Sequence, residues 1–140
     1  MSPTGGVEKG TYGRMAVIRL KPNQDLVEAL EAACRDHGIR HGLIRAAVGS
    51  VTDASFDLGA DEDQVRPARS FVEGPGLEIV SLAGDIHPDS EGRPRVELTG
   101  SVADQDGQVR GGRFRRGENP ICITMELVVQ EWIPDEAPRA

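Results

Sequence analysis

The sequence predicts an α+β domain: a mostly antiparallel sheet of about seven or eight strands carrying one main helix. Three observations lead there. One stretch, from Asn23 to Gly38, has helical periodicity. Almost everything after it consists of short apolar or alternating runs cut by turn residues. The late connections are also too short for parallel crossovers, which take about a dozen residues or more. A chain of 140 residues fits one domain. The folded body is expected over 13–133, with a loose tail over 1–12 and another over 134–140.

The elements follow in order. MAVIRL, Met15 to Leu20, is rich in apolar and β-branched side chains and reads as a strand that Pro22-Asn23 stops. NQDLVEALEAACRDHG is the helix. Asn23 is placed to cap it, and Asp25 falls in the first turn, where the helix dipole favours an anion. Leu26, Ala29, Leu30, Ala33 and Cys34 form one apolar stripe, and Gly38 is placed to end the helix in the left-handed conformation. GLIRAAVGSV and TDASFDLG read as strands parted by a Gly-Ser turn, and the acidic stretch Gly59 to Arg69 as a surface loop. ARSFVEG is a weaker strand that Gly74-Pro75-Gly76 breaks. LEIVSLAGDI is a strong strand and HPDSEGRPR a polar connection. VELTGSVA and QVRGGRF flank Asp104-Gln105-Asp106-Gly107, and ICITMELVVQEWI is the longest and most apolar strand.

Composition narrows the classes of function. The chain is 38% hydrophobic but only 4% aromatic, so its core is built from Val, Leu, Ile and Ala. The net charge is −7, whereas a surface that grips nucleic acid through phosphates needs dense cations. The one basic concentration, Arg110, Arg113, Arg115 and Arg116, reads as a solvated strand face. Gly92-Arg93-Pro94 echoes the core of an AT-hook, but Glu91 stands where a hook has arginine. Cys34 and Cys122 both lie in apolar runs and read as buried free thiols. No signal-type segment is seen, and no apolar run approaches the ~20 residues that cross a bilayer. A cytoplasmic protein with no membrane partner is expected.

The Asp104-x-Asp106-Gly107 group invites a calcium reading and fails on spacing. Gly107 comes too early for an EF-hand loop, and Arg115 stands where the bidentate Glu belongs. Asp-Gly between alternating runs is a hairpin turn. On the strand before it, Val96, Leu98 and Val102 point one way and Arg95, Glu97, Thr99 and Ser101 the other. Arg95 and Glu97 thus share a face, about 7 Å apart by strand rise. Gly111-Gly112 marks a bulge or a close backbone approach that could aim Arg113 at the same face. Two readings of Arg95, Glu97 and Arg113 stand. The plainer is a surface cross-strand ion pair, worth roughly 0.2–1 kcal/mol. The sharper is a pocket with net positive charge, suited to a small carboxylate or phosphate.

Other residues offer less. His37, His41 and His87 are scattered, without partners at zinc-ligand spacing, and His87 falls before a proline in a loop. Ser50 lacks the Gly-x-Ser-x-Gly of a nucleophile elbow. Glu126 is a lone carboxylate in an apolar strand, facing solvent beside Thr124 or paired with an arginine. No catalytic residue, metal or other cofactor is identified.

Taken together and in order, IRLKPNQDLVEALEAACRDHGIRHGLI, AAVGSVTDAS, GLEIVSLAGDI, GRPRVELTGSVADQDGQVRGGRF and TMELVVQEW resemble the plants-and-prokaryotes-conserved (PPC) domain. The resemblance covers about Met15 to Trp132. It implies a strongly bent antiparallel sheet with one main helix, and a homotrimer. The family also carries a DNA-binding label, because in plants the domain follows AT-hooks and mediates association with itself and with transcription factors. A DNA-associated role is therefore one alternative. Many prokaryotic members place His-x-His on the strand before the hairpin and a third His after Gly-Gly, a set suited to a metal. The related acetolactate decarboxylase fold uses a three-histidine zinc site, so an enzyme of unknown reaction is a second alternative. Here the matching positions are Arg95, Glu97 and Arg113. Arginine has no lone pair to give a metal. The resemblance therefore implies a lost metal site in a stand-alone trimeric domain that binds a small anion or serves regulation and assembly.

Overall fold

The computed structural model describes residues 5–59 and 68–135. Its elements are β1 (Gly10–Leu20), α1 (Leu26–Asp36), β2 (Gly42–Val51), β3 (Ala54–Asp57), β4 (Arg69–Val72), β5 (Leu77–Pro88), β6 (Pro94–Ala103), β7 (Val109–Phe114) and β8 (Ile121–Pro134). The strands form one open sheet in the order β1-β8-β2-β5-β6-β7-β3-β4. Every pairing in it is antiparallel. The acidic loop expected over 59–69 lies, from 60 to 67, outside the described residues.

One face of the sheet is apolar and carries α1, which packs on β6 and β1. Leu26, Val27, Leu30 and Cys34 of the helix are buried with Ile44, Leu98, Val102, Met125, Leu127 and Val129 of the strands. Each large aliphatic side chain buried in this way contributes about 1.5–3 kcal/mol. Phe56 and Phe114 meet at the β3–β7 end, with ring centroids 4.8 Å apart.

The helix differs from expectation at its start. Asp25, not Asn23, is the N-cap, and its side chain accepts the Glu28 N–H at 2.9 Å. Asn23 sits two residues upstream at φ 70, where its own N–H donates to the Ile121 carbonyl. That tertiary bond fixes the turn and leaves the cap to Asp25. Gly38, at φ +68, ends the helix as expected. The buried stripe is rotated from the expected one: Val27 and Glu31 are buried, while Ala29 and Ala33 are half-buried.

Strand boundaries also shift. Residues 10–12, expected in the N-terminal tail, belong to β1 and pair with 132–134. Gly49 and Ser50 are no turn but lie inside β2. A Cβ on Gly49 would stand 2.3 Å from the Thr124 carbonyl oxygen, so the glycine lets β2 and β8 close at a register shift. No helix of the described residues is long and apolar enough to cross a membrane.

Candidate functional site

β6 is the spine of the site. Val96, Leu98 and Val102 are buried beneath it, and Arg95, Glu97 and Thr99 are exposed above it. The ladder sets their neighbours. On β5, His87 faces Arg95, Asp85 faces Glu97 and Ala83 faces Thr99. On β7, Arg113 faces Thr99, and beyond it Asp57 of β3 faces Arg113. The β6–β7 ladder runs from Thr99 to Ala103 without a register shift, so of the two readings of Gly111-Gly112, bulge or close backbone approach, the bulge is absent there. The close approach holds: a Cβ on Gly111 would lie 2.2 Å from the Gly100 carbonyl oxygen.

This register divides the sequence-predicted trio. Glu97 and Arg113 sit on adjacent rows and together line a cleft of about 310 Å³ with Gly84, Asp85 and Thr99. A larger cleft, about 540 Å³, opens on the other flank of Arg113, with Thr99, Gly100, Gly112 and Asp57 in its wall. Arg95 lines neither cleft and stands beside His87. It lies about 13 Å of strand from the Thr99–Arg113 row.

The basic run also divides. Arg115 donates to Asp57 and to Glu118, each at 2.7 Å. Glu118 and Asp57 raise the Arg115 pKa in turn. Arg116 grips Glu31 with both terminal guanidinium nitrogens, one of them at 2.7 Å, and the Val96 N–H donates to the same carboxylate at 2.8 Å. Burial alone would push the Glu31 carboxyl up. The Arg116 hydrogen bonds and the Val96 N–H together outweigh burial and hold it below the usual carboxylate range. The turn between Arg115 and Ile121 is fixed by Asn119, fully buried, whose amide oxygen accepts the Ser55 N–H at 2.8 Å. Arg115 and Arg116 are thus structural. Arg113 forms no ion pair or side-chain hydrogen bond among the described residues, although Asp57, which pairs with Arg115, is its ladder neighbour. Its guanidinium faces open clefts.

One feature missed in sequence flanks the site, and other sequence readings resolve around it. His87 is not in a loop but near the end of β5, hydrogen-bonded to Asp85 at 3.3 Å. The alternation of Asp85 and His87 around buried Ile86 was the available signal. The Asp104 carboxylate accepts the Asp106 and Gln108 N–H groups and so caps a hairpin turn, with Gly107 at φ +78. Asp89 does the same for Glu91 and Arg93, which makes a second hairpin of the stretch expected as a polar connection. Gly92 of the hook-like tripeptide is the left-handed residue of that turn. Glu126 is both exposed and paired, with Arg19 at 3.1 Å. Cys34 is buried and free, and Cys122 is free but only half-buried.

A metal does not fit the positions that the family resemblance singles out. Two guanidiniums offer no lone pair, and the described residues hold no cluster of three His, Cys, Asp or Glu side chains placed to hold an ion.

Residues 7–133 match the family described as the Plants and Prokaryotes Conserved (PCC) domain. The chain is 34% identical over 129 residues, 92% of its length, to the bifunctional protein GlmU of Synechococcus sp. (strain JA-3-3Ab). A second GlmU, from Synechococcus sp. (strain JA-2-3B'a(2-13)), is 37% identical over 114 residues. The chain spans only 18% and 16% of these two curated relatives. Among solved structures, the metal-containing protein AF0104 from Archaeoglobus fulgidus aligns with a TM-score of 0.79 at 24% identity, over 97% of this chain and 91% of that one. A plant- and prokaryote-conserved protein from Pyrococcus horikoshii aligns with the same score at 17% identity, over 96% and 100%. At these identities the likeness speaks for the fold.

Proposed function

The chain belongs to the Plants and Prokaryotes Conserved (PCC) domain family, and from that premise we propose that it is a self-associating domain that binds a small carboxylate or phosphate on its outer sheet face. Arg113 is the principal anion-binding group. The Thr99 hydroxyl adds a hydrogen bond, and Glu97 bounds the site and disfavours ligands with charge on that side. Arg95 contributes longer-range positive charge. The observation that carries this reading is the contrast within one basic run: Arg115 and Arg116 are engaged by carboxylates, whereas Arg113 faces open clefts with no partner among the described residues. A free, planar guanidinium beside a hydroxyl is suited to bidentate capture of an oxyanion.

Self-association is supported by the apolar part of the same face. Met15, Val17, Val48 and Val80 are each more than half exposed, on strands β1, β2 and β5. Exposed apolar patches of this kind mark interfaces. A trimer, as the family resemblance implies, would cover them. In the Synechococcus relatives a domain like this one is part of a larger protein, which suits a regulatory or assembly role. The DNA-associated alternative is disfavoured by the engagement of Arg115 and Arg116 and by the charge of −7. An enzymatic role would rest on fold likeness alone.

A thermal-shift screen of phosphate, pyrophosphate and small dicarboxylates on the intact protein tests the anion site. Stabilisation by at least one of them that is lost in Arg113→Gln supports the reading. Identical behaviour of the two proteins across the panel contradicts it.

A further inference from the structure

A third cleft, of about 490 Å³, opens where β1, β8, β2 and β5 run side by side; it shares Asp85 with the smaller Arg113 cleft, but Arg113 does not line it. Tyr12 and Trp132 wall it, with ring centroids 6.0 Å apart at 69°. Trp132 is fixed through its indole and its backbone, and Gly10 packs closely on the ring. The indole Nε1 donates to Glu8 Oε1 at 2.7 Å, the Trp132 backbone N–H donates to the His41 carbonyl at 3.0 Å, and a Cβ on Gly10 would lie 2.6 Å from the ring. An aromatic wall fixed in this way loses little conformational freedom when a ligand arrives.

The charges around it are of one sign. Glu8 and Asp85 line the cleft with the imidazoles of His41 and His87, and no lysine or arginine does. Glu8 uses one oxygen on the indole, and Asp85 has one contact, to His87 Nδ1 at 3.3 Å. Asp85 also stands directly across the ladder from Glu97. Like charges in directly opposed positions destabilise a sheet, and neither carboxylate has a lysine or arginine partner among the described residues. A cation placed against Asp85 would relieve that repulsion. Among the described residues, no three of these or other His, Cys, Asp or Glu side chains are grouped so as to hold a metal ion. Two aromatic walls beside unneutralised carboxylates are the arrangement that takes an organic cation.

We propose that this cleft binds a small organic ammonium ion, its charged head between Asp85 and Glu8 and its alkyl groups against Trp132 and Tyr12. Trp132 is the only tryptophan in the chain, so its fluorescence reports on this cleft alone. The test titrates the intact protein with choline chloride at constant ionic strength, and in parallel with 3,3-dimethyl-1-butanol, which has the same shape without the charge. Choline should give a saturable change, with the neutral alcohol about tenfold weaker or more. Asp85→Asn should weaken choline about fivefold or more, Tyr12→Leu should do likewise, and a change at the exposed Arg110, Arg110→Gln, should leave it unchanged. If Asp85→Asn fails to fold, Tyr12→Leu carries the test by itself. A non-saturating response to choline, an equal response to the alcohol, or undiminished affinity in the folded cleft variants overturns the proposal.

Discussion

Replacing Arg116 by alanine probes Glu31, the one buried charged residue among the described residues. The Glu31 side chain is 11% exposed and that of Arg116 is 33% exposed. Truncating Arg116 strands the carboxylate under β6 with only the Val96 N–H as partner. A fully buried ion pair broken in this way costs about 3–5 kcal/mol. Arg116 is a third exposed and one hydrogen bond survives, which brings the figure to about 2 kcal/mol at pH 7. For a domain of this size that corresponds to a fall in Tm of about 6–8 °C. The pH dependence gives the argument its sign. Because the native structure holds the Glu31 carboxyl below its ordinary 4.5, the pair's contribution is present above that value and is lost as pH falls through the lower folded-state pKa. The difference between wild type and Arg116→Ala should therefore shrink steadily between pH 5 and pH 3 in urea melts. A cost below about 0.5 kcal/mol at pH 7, or a difference that stays constant over that range, would refute the reasoning.

Other expectations are simpler. Asp25→Ala removes the helix cap and the acceptor of the Gly117 and Asn119 N–H groups. It should cost about 3 kcal/mol in chemical denaturation, and a loss no larger than that of an ordinary cap would show that the Gly117–Asn119 link is slack. In Gly100→Ala the new Cβ would stand 2.2 Å from the Ser81 carbonyl oxygen, so the variant should lose about 2–3 kcal/mol or fail to fold. Burial pushes the Cys34 thiol up to about 11, so iodoacetamide at pH 8 should label the half-buried Cys122 first, and equal labelling of the two in the native protein would contradict the burial of Cys34. Light scattering should give a mass three times 15.0 kDa, and Val48→Glu should lower it; a wild-type monomer would contradict self-association.

What was legible in the sequence was local. The alternation of β6 separates Val96 and Leu98 from Arg95 and Glu97 without reference to any other strand. Asp104 and Gly107 announce their turn through groups four residues apart at most. Gly38 ends its helix for a reason internal to the helix. What was not legible depended on partners far along the chain. Glu31 is a polar interruption of an apolar stripe until Arg116, 85 residues later, is folded against it. Asn23 loses the cap because Ile121 claims its backbone. Gly49 looks like a turn and is a close crossing of two strands, whereas for Gly111-Gly112 the sequence left a bulge and a close approach open, and only the fold decides for the close approach. The trio Arg95, Glu97 and Arg113 shows the same limit. Facing direction follows from alternation, but the row on which Arg113 falls depends on the hairpin register, which sets it opposite Thr99.

The most direct test of the anion site observes the Arg113 guanidinium itself. In a nitrogen-15 NMR titration with inorganic phosphate at ~150 mM salt, where non-specific charge contacts are screened, the Arg113 Nε–Hε signal should shift saturably. The backbone amides of Thr99, Gly100 and Gly112 should follow the same curve, and the exposed Arg14, Arg45 and Arg110 should stay still. No shift at Arg113, or equal unsaturated shifts at every exposed arginine, would contradict the account.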